Sequence, residues 1–264
     1  MVAPLAWFAK RAYRTFFRWQ LLNSYSYLPV EGLSTLGCAR FASSGQKARL
    51  IREVLEQQAG GRRGLSMLDV GCNNGYFALQ LAKEGHFVLG IDPFEHAIEV
   101  AEFARVRARL ANAAFVCARV DEEALLRLPR VDVALLLSVF QKWCAQYGFE
   151  RSTAMLKILW AKTASCLFFE CSDSLDSIEQ FRVHLPDMGR TKEACRRFFE
   201  RFLQSSLPAC TVEYLGGLPL EYRAEERFLF VVRRMERPQA SADGVSADAH
   251  DAGLAAQVSL RTMA

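Results

Sequence analysis

A chain of 264 residues, 51% hydrophobic and 23% charged, has the material for one large domain with a packed core, which excludes wholesale disorder. Its formal charge of +4, from 33 basic and 29 acidic residues, is small for a module that captures nucleic acid by charge. The strongest apolar run, at 133–140, falls well short of the ~20 residues that cross a bilayer. None of the 8 cysteines forms a Cys-x-x-Cys pair, so no zinc or redox motif is spelled out and no metal is expected. Several sit in apolar runs, such as Cys117 in AAFVCARV and Cys166 in SCLFF, and are expected as small buried hydrophobes, reduced in a cytoplasmic compartment.

Residues 1–30 form a distinct opening. At about 100° per residue, Lys10, Arg11, Arg14 and Arg18 share one side of a helix, and Leu5, Phe8, Phe16 and Trp19 lie on the other. Three roles fit this basic amphipathic helix: a cover for the domain, an interfacial membrane helix at the inner face of a membrane, or a cleaved targeting peptide. These 30 residues hold no acid, so the rest of the chain carries as many basic as acidic residues, 29 of each.

A linker containing Gly32, Gly37 and Ser43-Ser44-Gly45 leads to QKARLIREVLEQQ, where Leu50, Ile51, Val54 and Leu55 repeat at helical spacing. An alternation then begins. Strands are expected at 65–70, 86–92, 113–120, 131–140 and 165–171, with helices at 75–85, 95–110, 121–128 and 151–163 between them. Short apolar runs separated by helices imply right-handed crossovers and a doubly wound, mostly parallel sheet with helices on both faces. After a helix at 191–204, the runs at 210–217 and 227–234 read as an antiparallel strand pair, completing seven strands. The residues divide into an N-terminal helix (1–30), a domain (31–236) and a disordered tail (237–264) rich in Ala, Ser and Asp.

The turn after the first strand is Asp69-Val70-Gly71-Cys72-Asn73-Asn74-Gly75, and the second strand ends at Asp92. In a doubly wound sheet ligands bind outside the carboxyl ends of the strands, where an acid at the tip of the second strand can accept from ribose hydroxyls. The pattern therefore points to a nucleoside ligand, with Gly71 admitting close backbone approach and Gly75 a tight helix entry. The bland readings are a loop-capping Asp69, a packing Cys72 and Trp143, and surface positions for His86 and His96.

At LDVGCNNG, GIDPF and VDVALLLSVFQKW the chain resembles the class I, seven-stranded S-adenosylmethionine-dependent methyltransferases, over about residues 45–235. The resemblance implies that Asp69 helps hold the methionine amino group of S-adenosylmethionine. It further implies that Gly71, Cys72, Asn73 and Gly75 pass beneath methionine and ribose, that Asp92 binds the ribose hydroxyls, and that Pro93 and Phe94 flank the adenine. Ser138 to Phe140 would lie beside the methyl group.

Two positions depart from the family pattern. Asn73 replaces a frequent glycine, which a left-handed Asn tolerates. Arg119 stands where an acid or amide commonly meets the adenine amine, leaving Asp121 and the Val120 amide to make that contact. A base is needed only if the acceptor must lose a proton, and Glu170 and His184 are the candidates. Each also has a plain reading, Glu170 as a satisfied carboxylate in a loop network and His184 as a surface loop residue. The segment 172–190 is the expected lid over the acceptor.

The favoured reading is a methyltransferase acting on a small-molecule, glycan or lipid-linked acceptor, with contact to a membrane through residues 1–30 and no nucleic acid. RNA or protein acceptors stay open, as does a non-catalytic methyltransferase-like scaffold. A nicotinamide-dependent oxidoreductase would want G-x-G-x-x-G and a sixth parallel strand, and the chain has neither.

Overall fold

The structure is a computed structural model that describes residues 41–59, 63–172, 186–189, 191–219 and 226–235. The expected N-terminal helix, the tail, His184 and most of the lid segment lie outside these residues.

The apolar runs form strands because alternate residues enter two separate cores. Helix α1 (Phe41–Ala59) leads to β1 (Ser66–Val70), followed by α2 (Tyr76–Lys83), β2 (Phe87–Asp92), α3 (Glu95–Arg107) and β3 (Ala113–Cys117). Next come α4 (Glu122–Arg127), β4 (Val131–Leu137), α5 (Phe140–Tyr147), α6 (Phe149–Lys162) and β5 (Thr163–Ser172). Helix α7 (Lys192–Ser206) precedes β6 (Cys210–Pro219) and β7 (Glu226–Arg234).

The seven strands make one sheet in the order β3-β2-β1-β4-β5-β7-β6. The first five are parallel, and β7 is antiparallel to both β5 and β6, with Phe169 opposite Phe230 and Val212 opposite Val232. On one face Val133, Leu135, Leu137, Phe168 and Val231 pack with Ile51 and Val54 of α1 and Leu79 of α2. On the other, Ala134, Leu136, Phe169 and Phe230 pack with Phe140 and Trp143 of α5, Trp160 of α6 and Phe199 of α7. Period-two alternation within continuously apolar strands is what a sheet covered on both faces requires.

Four expectations are corrected. Ser43 to Gly45 form part of α1, not a linker, because helix packing overrides the weak propensity of Ser and Gly. The fourth strand stops at Leu137; Ser138 turns at φ 59° and Phe140 opens α5, a helix merged with the strand in the sequence reading. Cys117 is exposed, because β3 is a sheet edge with an uncovered side. His86 is buried, drawn in where α2 meets β2 while the Asn112 side-chain amide donates to its carbonyl at 2.7 Å.

Candidate active site

The site is built at the carboxyl ends of β1, β2, β4 and β5, and its first half comes from one short stretch of chain. After β1, Gly71 turns at φ 76° and its amide donates to Ile91 O at 2.7 Å, with the Cys72 amide following at 3.1 Å. A Cβ on Gly71 would strike the Val139 side chain, so tight packing against the β4 turn, and not only a ligand, demands glycine there. Asn73 takes up the left-handed conformation at φ 51°, and its Oδ1 accepts from the Asn74 amide at 2.7 Å. Gly75, at φ 76°, starts α2, and a Cβ there would lie 2.7 Å from the Phe115 ring.

Asp92 holds this loop to β2. Its two carboxylate oxygens accept from the Asn73 amide at 2.9 Å and the Phe94 amide at 3.0 Å. Pro93 and Phe94 follow in the open, with Phe94 64% exposed. Val120 is buried, and Asp121 accepts from the Ala124 amide at 2.9 Å as the N-cap of α4, which commits one of its oxygens to the fold. Cys72 is buried with its sulfur 2.9 Å from where a Gly90 Cβ would stand, a packing position. Burial, with the charges of Asp69 and Asp92, pushes its thiol far up, so it is no nucleophile.

Asp69 lies beneath the loop, 2% exposed, and its Oδ2 meets no hydrogen-bond donor among the described residues. Burial first, then the charge of Asp92, raises its carboxyl to about 7, against opposition from the Ala78 amide and from Lys47. A buried acceptor left open in this way suits a cationic donor from outside the chain.

The second half draws on distant segments. Ser138, in its left-handed turn, is tied to β5 twice: its amide donates to Glu170 O at 3.1 Å and its hydroxyl donates to Glu170 Oε1. The Lys47 ammonium of α1 pairs with Glu170 Oε2 and lies 5.3 Å from the Phe77 ring centroid. From β7, Arg227 Nη1 donates to Ser138 Oγ at 3.3 Å. Glu170 is fully buried; burial works to raise its carboxyl, but Lys47 and Arg227, with hydrogen bonds from Lys47 and Ser138, outweigh it and hold it below the usual range.

Such a carboxylate clamps three elements together and is a poor proton acceptor, so its surroundings oppose the expected role as a base. The Phe140 ring turns into the core against Phe149, Phe169 and Phe202, which leaves Ser138 as the polar side chain of the β4 turn. No group of three or more His, Cys, Asp or Glu side chains is placed to hold a metal ion among the described residues.

Among the buried polar side chains that went unread in the sequence are Lys47, Arg227 and Gln141. Lys47 had a signal: it stands four residues before Ile51 and seven before Val54, on the apolar stripe of α1. Arg227 and Gln141 had none, since a charged strand end and a helix-start amide ordinarily face water; Gln141 is buried with Oε1 lacking a donor among the described residues.

Comparison with known proteins places this geometry. Residues 62–181 match the model of a family described as a methyltransferase domain. The ubiquinone biosynthesis O-methyltransferase of Acinetobacter baylyi is 31% identical over 87 residues, which are 33% of this chain and 37% of that protein. The O-antigen chain terminator bifunctional methyltransferase/kinase WbdD of Escherichia coli is 33% identical over 98 residues, 37% of this chain and 14% of that protein. The chain thus matches little more than a third of the length of the first of these curated relatives and about a seventh of the second. A crystal structure of WbdD superposes with a TM-score of 0.58 at 23% identity, covering 71% of this chain and 39% of that one. The magnesium protoporphyrin IX methyltransferase of Synechocystis PCC 6803, solved with bound S-adenosylmethionine, superposes with a TM-score of 0.55 at 18% identity, covering 84% and 91%. With its five parallel strands, antiparallel β5-β7-β6 edge and glycine-turn loop between two strand-end aspartates, the described part of the chain has the fold of the S-adenosylmethionine-dependent methyltransferase it superposes on, and residues 62–181 match a methyltransferase domain.

Proposed function

We propose that this protein transfers a methyl group from S-adenosylmethionine to a small-molecule, glycan or lipid-linked acceptor. The observation that carries the reading is the buried, open Oδ2 of Asp69 beneath a left-handed loop that Asp92 ties to β2. When bound, the cofactor supplies an electrophilic methyl group on a sulfonium. Asp69 is placed to accept from its amino group, and Asp92 from its ribose hydroxyls. Pro93 and Phe94 offer a surface for the adenine, with the Val120 amide and the remaining oxygen of Asp121 at its edge.

Methyl transfer is an in-line displacement, so alignment of the acceptor does most of the catalytic work, and the Ser138 turn is the place to align it. The acceptor class is supported by the relatives, whose names refer to ubiquinone and O-antigen, and by the even charge balance of residues 31–264. The basic aromatic sequence of residues 1–30 supports contact with an anionic membrane surface. No helix of the described residues is long and apolar enough to cross a membrane.

Calorimetry with S-adenosylmethionine tests the cofactor, and absence of binding at millimolar ligand would sink the reading. Labelled cofactor incubated with lysate fractions separated into lipid, polysaccharide, RNA and protein identifies the acceptor; label entering only RNA or protein would overturn the acceptor class. Co-sedimentation with anionic liposomes should pellet the full chain and leave behind a protein starting at Glu31.

A further inference from the structure

The turn from β4 into α5, where the acceptor is to be aligned, carries two buried polar side chains. Ser138 is committed, since its hydroxyl donates to Glu170 and accepts from Arg227 Nη1 at 3.3 Å. Gln141 remains open: it is 4% exposed, and its Oε1 meets no donor among the described residues. Packing does not explain it. Phe140, Trp143 and Cys144 carry α5 into the apolar core, and Gln141, about 100° round the helix from Phe140, stands beside that stripe. A methionine or leucine would fill the same space without leaving a buried carbonyl oxygen unmet.

Its place in the helix gives the side chain a direction. The amino end of α5 abuts the glycine loop: the Val139 side chain fills the space that a Gly71 Cβ would enter, and the Lys142 and Trp143 amides donate to Val139 O at 2.9 and 3.0 Å. Gln141 is the second residue of α5, and helical side chains lean toward the amino end of their helix. Leaning back from there, and buried, its amide reaches past the first turn to the carboxyl edge of the sheet, where the Ser138 and Gly71 turns stand. No side chain caps α5 and its first turn holds no acid, so the oxygen of Gln141 is the acceptor that end presents among the described residues.

We propose that Gln141 selects and orients the acceptor: its Oε1 accepts the hydrogen of the group to be methylated, a hydroxyl or an amine, which turns a lone pair of that group toward the methyl carbon. The acceptor atom bonds to the methyl carbon as the carbon–sulfur bond breaks. The electron pair stays on sulfur, giving S-adenosylhomocysteine, and the displaced proton leaves to water, because an amide oxygen is no base. The proposal rests on the methyltransferase reading above and adds the chemistry of the acceptor group to it.

The test is Gln141→Met, similar in volume and without the amide, assayed with labelled S-adenosylmethionine and the lysate fraction that wild type labels. The initial rate at limiting acceptor, which follows kcat/KM, should fall about tenfold, the worth of one hydrogen bond. The Kd for S-adenosylhomocysteine should stay within about twofold of wild type, since the product carries no acceptor group. Thermal unfolding without ligand should move up by about 2–6 °C, because an unmet buried acceptor has been removed. Gln141→Leu must give the same pattern and serves where the methionine variant does not fold. With a carbon-13 methyl donor, the product resonance separates O-methyl from N-methyl, both of which fit, and from methyl on carbon, which overturns the proposal. Unchanged transfer, a lowered Tm, or S-adenosylhomocysteine binding weakened as much as transfer also overturns the role of Gln141 and leaves the methyltransferase reading standing. Wild-type protein that binds no S-adenosylhomocysteine, or binds it and labels no fraction, overturns that reading and the proposal with it.

Discussion

Asp69 and Glu170 are both buried carboxylates at the carboxyl end of the same sheet, yet they are treated in opposite ways. Glu170 is met by the Lys47 ammonium and the Ser138 hydroxyl, with Arg227 beside it, and stays ionised. Asp69 keeps an oxygen open, and its carboxyl rises to about 7. The carboxylate the fold satisfies is architecture, joining α1, the β4 turn and β7. The one it leaves unsatisfied costs the free protein stability and, in the proposed function, is the acceptor for the cofactor.

The sharpest way to break this contrast is to remove the clamp. Glu170→Ala leaves Lys47 and Arg227 beside an empty carboxylate site, and is expected to cost about 3–5 kcal/mol in urea unfolding at pH 7. A loss under about 1 kcal/mol would mean that the clamp is not structural.

Next in size is Gly71→Ala. It combines a left-handed backbone with a side chain driven into Val139 and should cost about 2–4 kcal/mol, with loss of S-adenosylhomocysteine binding. A stable, binding-competent variant would show that the β4 turn can move away.

Asp69→Asn should act in the opposite direction on the two readouts. The folded carboxyl keeps its proton to about pH 7, whereas its ordinary value is 3.8, so ionisation costs folding stability increasingly from about pH 4 to pH 7. The amide avoids that cost, and urea unfolding at pH 8 should show a gain on the order of 2 kcal/mol. The same variant should bind S-adenosylhomocysteine about 10- to 100-fold more weakly, the worth of a hydrogen bond to a charged group. Losses in both stability and binding would mean that Asp69 is structural after all.

The smallest effect belongs to Asn73→Gly. Glycine accepts the left-handed turn freely but gives up the bond to the Asn74 amide, so stability should change by less than about 1 kcal/mol. A larger loss in thermal unfolding would mean that the Asn73 side chain carries more of the loop than that one bond.

The two halves of the site were unequally legible in the sequence. The half from Asp69 to Phe94 is local: strand, glycine turn, helix and second strand follow one another within one crossover unit, and residue types alone announce positive φ and a strand-end acid. The Lys47, Ser138, Glu170 and Arg227 cluster joins residues 32 and 89 positions apart, on elements that meet only once β4 pairs with β5 and β7 inserts between β5 and β6. Glu170 was visible as a strand-end acid, but its partners were not.

By itself the sequence determined the α/β alternation, the seven strands and the loop with its two aspartates, because each depends on short-range periodicity and backbone sterics. The tertiary structure alone decided that Ser138 ends the fourth strand in a left-handed turn, that Asp121 caps α4 and that Phe140 points into the core. It also decided that one buried carboxylate is neutralised while another is left open. Those outcomes depend on burial and on charges brought together from distant segments, and the energy of a buried charge is set by what surrounds it in space.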